Sequence, residues 1–81
     1  MRKEKTIENI KSLDASLAAK LVEETSKYDA DVKLYYKDKV ANLKSILGLM
    51  SLAIPKGESV KVASEGKDAT LALKEIESLL K

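Results

Sequence analysis

The sequence predicts an α+β fold, an open-faced β-sandwich in which a four-stranded antiparallel sheet carries three helices on one face. Residues 32–36 and 59–64 alternate apolar and polar side chains, which is the period of a strand with one buried face. Residues 15–27 and the segment after Asp68 instead repeat apolar side chains every three or four residues, as amphipathic helices do. Polar side chains on the outward side of the alternating segments indicate that the second sheet face is solvated. Taken in sequence, the elements follow the order β-α-β-β-α-β-α.

The N-terminal third predicts a weak strand and a helix. We place strand one near residues 3–9, where the apolar side chains lie three apart rather than two. Asp14 has a residue type that caps helices, and its carboxylate would lie at the positive end of the dipole of a helix over residues 15–27. Capping alone accounts for an aspartate at this position. A first strand with so poorly defined a register could also be exchanged between chains.

The following segment predicts a hairpin. In residues 32–36 every second side chain should point inward, which leaves Lys33 and Tyr35 on the open face of the sheet. Residues 37–39 are a charged turn, and residues 40–42 form a short returning strand.

Residues 42–54 are the most apolar part of the chain. Ser45 suits a helix N-cap there, because its hydroxyl can accept from the free N–H groups of the first turn. A short helix that is apolar on nearly every side cannot be hidden completely in a small protein, so part of it should face water or a partner. Complete burial in the core is the alternative. By helical spacing, the docking side comprises Ile46, Leu47 and Met50, and the side that anchors the core comprises Leu49 and Leu52.

The C-terminal part predicts a loop, a strand and the last helix. Residues 55–58 have loop composition, residues 59–64 form the strand, and residues 65–67 turn the chain. Asp68 is the expected cap of the last helix. The apolar stripe of that helix comprises Ala69, Ala72, Leu73, Ile76 and Leu80, with Leu79 at its edge.

Composition limits the classes of function. The 81 residues are 44% hydrophobic and 35% charged, which predicts one globular domain over residues 1–81. The 15 basic and 13 acidic residues are interspersed and leave a net charge of +2, so we expect no direct nucleic-acid binding. No apolar run has the length of a membrane span or the placement of a signal peptide, so we expect a cytoplasmic protein without membrane insertion. The chain has no cysteine and no histidine, so we expect no enzymatic activity, no metal and no cofactor.

Residues 42–52, Asn-Leu-Lys-Ser-Ile-Leu-Gly-Leu-Met-Ser-Leu, resemble the regulatory-serine signature of the HPr family. These are the small phosphocarrier proteins of the bacterial sugar phosphotransferase system. Residues 30–32, 36–39 and 65–68 also fall at family-like spacings, and the resemblance runs from Ser12 to Leu80. The predicted element order is that of the HPr-like fold.

The sequence departs from the family at the phosphocarrier motif, which contains a histidine, an arginine and a proline at the start of the first helix. Asp14 stands where the resemblance places the histidine, Ser16 where it places the arginine, and Leu17 where it places the proline. The ring nitrogen that takes the phosphoryl group is therefore absent, as is the guanidinium that would bind it. A carboxylate at this position repels an incoming phosphoryl dianion.

Crh-like members of the family also lack the histidine, although they keep an arginine where Ser16 stands. Resemblance to them implies a regulatory protein of carbon catabolite repression, a monomer or weak dimer that HPr kinase/phosphorylase modifies on Ser45 and that then binds a catabolite control repressor. Two alternatives stay open. One is a phosphocarrier with Asp14 as phosphoryl acceptor, which would need Mg²⁺ although only the hydroxyls of Ser12 and Ser16 are near in sequence. The other is a constitutive binding module in which Asp14 mimics a phosphate.

Overall fold

A computed structural model of the protein describes all 81 residues. Its seven elements follow the predicted order. They are β1 (Arg2–Ile7), α1 (Ala15–Thr25), β2 (Asp31–Tyr36), β3 (Lys39–Asn42), α2 (Ile46–Ser51), β4 (Val60–Glu65) and α3 (Ala69–Leu80). None of the three helices has the length and apolar character that a bilayer span requires.

The four strands form one antiparallel sheet in the order β1-β4-β2-β3. The pairing of β1 with β4 runs from Arg2 opposite Glu65 to Ile7 opposite Val60. β4 and β2 therefore lie in the middle of the sheet, and β1 and β3 form its edges. This topology confirms the predicted four-stranded antiparallel sheet.

Alternation along the strands separates a core face from an open face. In β2, Val32 and Leu34 are fully buried, whereas Lys33 is exposed and Tyr35 is half-buried. On the open face the ammonium group of Lys61 lies 4.9 Å from the centre of the Tyr35 ring. The three helices cover the core face, and their buried side chains join those of the strands in one cluster. The predicted open-faced sandwich is confirmed.

Strand boundaries differ slightly from the predicted ones. β1 ends at Ile7 rather than at residue 9, because Asn9 adopts a left-handed backbone with φ of 56° and turns the chain away from the sheet. Lys39 already pairs with β2 and so begins β3 instead of belonging to the turn. β4 begins at Val60 and extends to Glu65, which still pairs with both neighbouring strands.

Two helix termini also differ from the prediction. α1 ends at Thr25, since the N–H of Lys27 bonds the carbonyl of Glu24 at 3.1 Å and so tightens the chain into a turn. Asp68 is the N-cap residue of α3 as predicted, but with φ of −102° and ψ of 27° its carboxylate makes no capping hydrogen bond. That carboxylate accepts instead from the N–H of Asp29 at 2.8 Å, which ties the start of α3 to the loop before β2.

Candidate functional site

Ser45 is the N-cap of α2. Its backbone is extended, with φ of −121° and ψ of 108°, and its Oγ accepts from the N–H of Gly48 at 3.0 Å. A tight turn over residues 42–45 places Ser45 at this position. The N–H of Ser45 donates to the carbonyl of Asn42 at 3.0 Å, and the Asn42 Oδ1 accepts from the N–H of Lys44 at 2.9 Å. The hydroxyl therefore satisfies one of the N–H groups that a helix start leaves without a partner.

The Ser45 hydroxyl keeps its own proton free. Its oxygen acts only as an acceptor, and no protein group accepts from its O–H. The residue as a whole is half-buried. A hydroxyl oxygen that is held by one hydrogen bond and keeps its O–H unused is chemically able to attack a phosphoryl donor.

An exposed apolar surface lies beside Ser45. We call it the α2 patch, and it comprises Ile46, Leu47 and Met50, which are 44%, 84% and 39% exposed. The opposite side of the helix is core: Leu49 is fully buried and Leu52 is 3% exposed. The structure thus divides the helix along the two sides that helical spacing predicted. Of the chain's exposed large apolar side chains, this is the group that adjoins a polar cap.

Asp14 is the N-cap of α1. Its Oδ1 accepts from the N–H of Leu17 at 2.8 Å, with φ of −90° and ψ of −179°. The side chain opens onto a cleft of about 270 Å³, whose walls also carry Lys11 and Lys20. The residue thus performs the capping role that the sequence predicted.

The surroundings of Asp14 supply little of what carboxylate phosphorylation requires. No cluster of three or more aspartate, glutamate, histidine or cysteine side chains in the structure could hold a metal ion. The remaining polar groups of the cleft include the hydroxyls of Ser12 and Ser16. Magnesium in phosphoryl-transfer sites is usually held by one or two carboxylates, so Asp14 would have to serve as both acceptor and metal ligand.

The two helix starts belong to one layer of the protein. α1 packs against α2, and the N–H of Leu13, just before α1, donates to the carbonyl of Ile54, just after α2, at 3.0 Å. Ala53 ends the short helix in a left-handed conformation with φ of 50°, and its N–H donates to the Met50 carbonyl at 3.2 Å. Ser45, the α2 patch and Asp14 are therefore carried by neighbouring helices on the same side of the sheet.

Gly48 belongs to this site, although it was not among the predicted site residues. Its N–H is the donor to Ser45, and its missing side chain leaves space next to the serine oxygen. A signal was present, because a glycine within a short apolar helix is unfavourable unless some contact requires it.

The sheet order and the three helices on its core face define an open-faced α+β sandwich that presents two polar helix caps and an apolar surface. A family model described as "PTS HPr component phosphorylation site" matches residues 1–81, so the chain belongs to the HPr family of the phosphotransferase system. Proteins of this family are phosphocarriers rather than catalysts. The match extends beyond the Ser12–Leu80 range over which the sequence resemblance was drawn.

Solved structures of the same family superpose closely. The phosphocarrier protein HPr from Bacillus anthracis has a TM-score of 0.92 and 33% identity, with 99% of this chain and 98% of that chain covered. HPr from Thermoanaerobacter tengcongensis has a TM-score of 0.88 and 39% identity, with 96% of this chain and 90% of that chain covered. Crh of Bacillus subtilis has a TM-score of 0.79 and 37% identity, with 86% of this chain and 80% of that chain covered. Its crystal structure is a domain-swapped dimer. The protein is thus similar both to histidine-type carriers and to a catabolite-repression relative.

Proposed function

We propose that this HPr-family protein is a regulatory member of the phosphotransferase system. Phosphorylation of Ser45 would switch its binding to other proteins, and it would not relay phosphoryl groups through a histidine. The observation that carries the proposal is the Ser45 hydroxyl, which belongs to a half-buried residue, keeps its O–H free and lies beside the α2 patch. The 81 residues contain no histidine, so the relay chemistry has no acceptor of that type.

Phosphorylation at this position has a simple electrostatic effect. It adds a charge of about −1.5 to −2 next to the helix start, where N–H groups favour negative charge. The fold should tolerate the modification, because Ser45 lies at the surface edge of α2 and not within the core cluster. The switch would therefore be local: a dianion appears beside Ile46, Leu47 and Met50, and basic groups of a partner can bind it.

The partners follow from the family resemblance. HPr kinase/phosphorylase would modify Ser45, and a catabolite control repressor would bind the modified protein through the α2 patch. The adaptable side chain of Met50 suits a surface that two different partners recognise. On this proposal residues 1–81 act as one cytoplasmic domain without enzymatic activity.

The oligomeric state is proposed to be a monomer or a weak dimer. β1 lies at the sheet edge, and Ile7 is its one buried residue. Lys5 of this strand is held by Glu77 of α3, with its ammonium 2.8–2.9 Å from the two carboxylate oxygens. An edge strand paired on one side only, with β4, could be exchanged between two copies, and Crh of Bacillus subtilis forms a domain-swapped dimer.

The test compares unmodified protein, protein phosphorylated by HPr kinase/phosphorylase and ATP, and Ser45→Ala in repressor binding at two salt concentrations. Phosphorylated protein should bind more tightly, and the gain should shrink at high salt because the new contact is ionic. Ser51→Ala is the matched control, since Ser51 is an exposed serine of the same helix. Equal affinity for all forms would exclude Ser45 from the mechanism.

A further inference from the structure

Gly48 lies within α2 at a position where the backbone does not require glycine. The other two glycines have left-handed or similarly restricted backbones, with φ of 93° at Gly57 and 132° at Gly66. Gly48 has helical geometry and lies between Ser45 and the end of the helix. Glycine is among the least favourable residues inside a helix, so its presence here calls for another cause.

The cause lies in the space that a side chain would fill. A Cβ at Gly48 would come within 3.1 Å of the Ser45 Oγ and 3.4 Å of the Ser45 Cβ. The next neighbour, the Cβ of Ala41, would lie 3.7 Å away, which is ordinary van der Waals contact. The close approach is therefore to the serine oxygen, and the core behind the helix would not be overpacked.

We propose that Gly48 is a positioning residue for phosphorylation of Ser45, an inference that rests on the function proposed above. Its missing side chain lets the Ser45 oxygen lie 3.0 Å from the Gly48 nitrogen, while no protein group accepts from the Ser45 O–H. In the reaction this oxygen attacks the γ-phosphorus of ATP and an O–P bond forms. The bond from that phosphorus to the β–γ bridging oxygen breaks, ADP leaves, and the hydroxyl proton passes to a base of the kinase.

A methyl group at residue 48 would displace the serine oxygen without touching the docking surface. A contact of 3.1 Å has to open by a few tenths of an ångström, either by a shift of the helix or by rotation of the Ser45 side chain. Ile46, Leu47 and Met50 would remain exposed as before, so binding of the kinase would be retained. The alanine variant should therefore lower kcat and leave KM unchanged, because the attacking atom is misplaced after binding.

The experiment measures phosphorylation by HPr kinase/phosphorylase with ATP for the wild-type chain, Gly48→Ala and Ser51→Ala. We expect kcat of Gly48→Ala to fall by about tenfold to a hundredfold at unchanged KM, and Ser51→Ala to behave as wild type. A wild-type kcat for Gly48→Ala would overturn this inference alone. Failure of the wild-type chain to accept phosphate would overturn the function proposed for Ser45 and the inference with it.

Thermal unfolding tests the steric premise without any kinase. Gly48→Ala is introduced into the wild-type chain and into Ser45→Ala, which lacks the oxygen. In the Ser45→Ala background the alanine should raise Tm, because helix propensity acts without the clash. In the wild-type background the gain should be smaller or reversed. Equal changes of Tm in both backgrounds would show that residue 48 does not press on the serine oxygen, and would overturn the proposal.

Discussion

The helices α1 and α2 begin with the same backbone geometry but with different chemistry. In each, an extended N-cap residue accepts from the third helical N–H: the Asp14 carboxylate at 2.8 Å and the Ser45 hydroxyl at 3.0 Å. Around Asp14 lies a cleft flanked by Lys11 and Lys20. Around Ser45 lies the exposed apolar α2 patch.

The difference teaches that a helix start explains a polar side chain but does not by itself make a functional site. An ionised carboxylate accepts the capping hydrogen bond through one of its oxygens and has no O–H of its own, so capping alone accounts for an aspartate at this position. A hydroxyl caps the helix with a lone pair and still has an O–H available. What marks Ser45 is this unused O–H together with the neighbouring apolar surface.

The largest expected difference between the two cap residues is whether they become phosphorylated. Asp14 should take up no phosphate from phosphoenolpyruvate and the first enzyme of the phosphotransferase system, because it lacks an imidazole and an adjacent guanidinium. Intact-mass spectrometry checks this, with the phosphocarrier protein HPr from Bacillus anthracis as the positive control. A hydroxylamine-labile phosphate on Asp14 would reverse the comparison.

The two sides of α2 should differ strongly in stability. Leu49→Ala removes a fully buried side chain and should lower the free energy of unfolding by about 2–5 kcal/mol. Leu47→Ala removes a side chain that is 84% exposed and should change it by less than about 0.5 kcal/mol. Urea denaturation measures both. A comparable loss for Leu47→Ala would identify the α2 patch as core and remove it as a docking surface.

The caps themselves should contribute a smaller amount. Asp14→Ala and Ser45→Ala should each cost about 1 kcal/mol of unfolding free energy, since each leaves a helical N–H without its side-chain acceptor. Asp14→Asn is the control that keeps the acceptor and should cost much less. Chemical denaturation of the three variants is the measurement. No loss for either alanine variant would mean that the observed cap bond does not stabilise its helix.

The smallest expected effect is the loss of an ion pair on α3, the helix that has no side-chain capping bond. The hydrogen bond from Lys5 holds the pKa of Glu77 below its ordinary value of 4.5, so the folded state favours the ionised form. The stabilisation is therefore present at neutral pH and is lost as pH falls through the folded-state pKa. Glu77→Gln should lower Tm slightly at pH 7 and leave it unchanged at a pH well below 4.5. An equal difference at both pH values would assign the effect to packing.

Local patterns in the sequence were sufficient for most of the fold. Alternation in residues 32–36 and the spacing of apolar residues after Asp68 predicted a strand and a helix that the structure contains. The caps Asp14 and Ser45 were predictable because each accepts from an N–H only three residues away. Such contacts depend on neighbours in sequence alone.

Features that depend on distant neighbours could not be predicted. Asp68 was expected to cap α3 but bonds the N–H of Asp29, which only the tertiary fold brings near. Gly48 was missed although its contact is local, because only the structure shows that a Cβ at this residue would lie 3.1 Å from the Ser45 oxygen. The end of β1 was misplaced because Asn9 turns left-handed, which no apolar pattern records.

The position of β1 in the sheet bears on how the chain is made. Arg2 pairs with Glu65, so the first strand has no partner until most of the protein has left the ribosome. At a synthesis rate of about 5–20 residues per second, this wait lasts on the order of several seconds. During it, the backbone of β1 is a free edge on which another nascent chain could pair. Four of its six residues are charged, Arg2 to Lys5, and charge is what keeps such edges apart. These charges therefore disfavour pairing between β1 of the unfinished protein and another nascent chain.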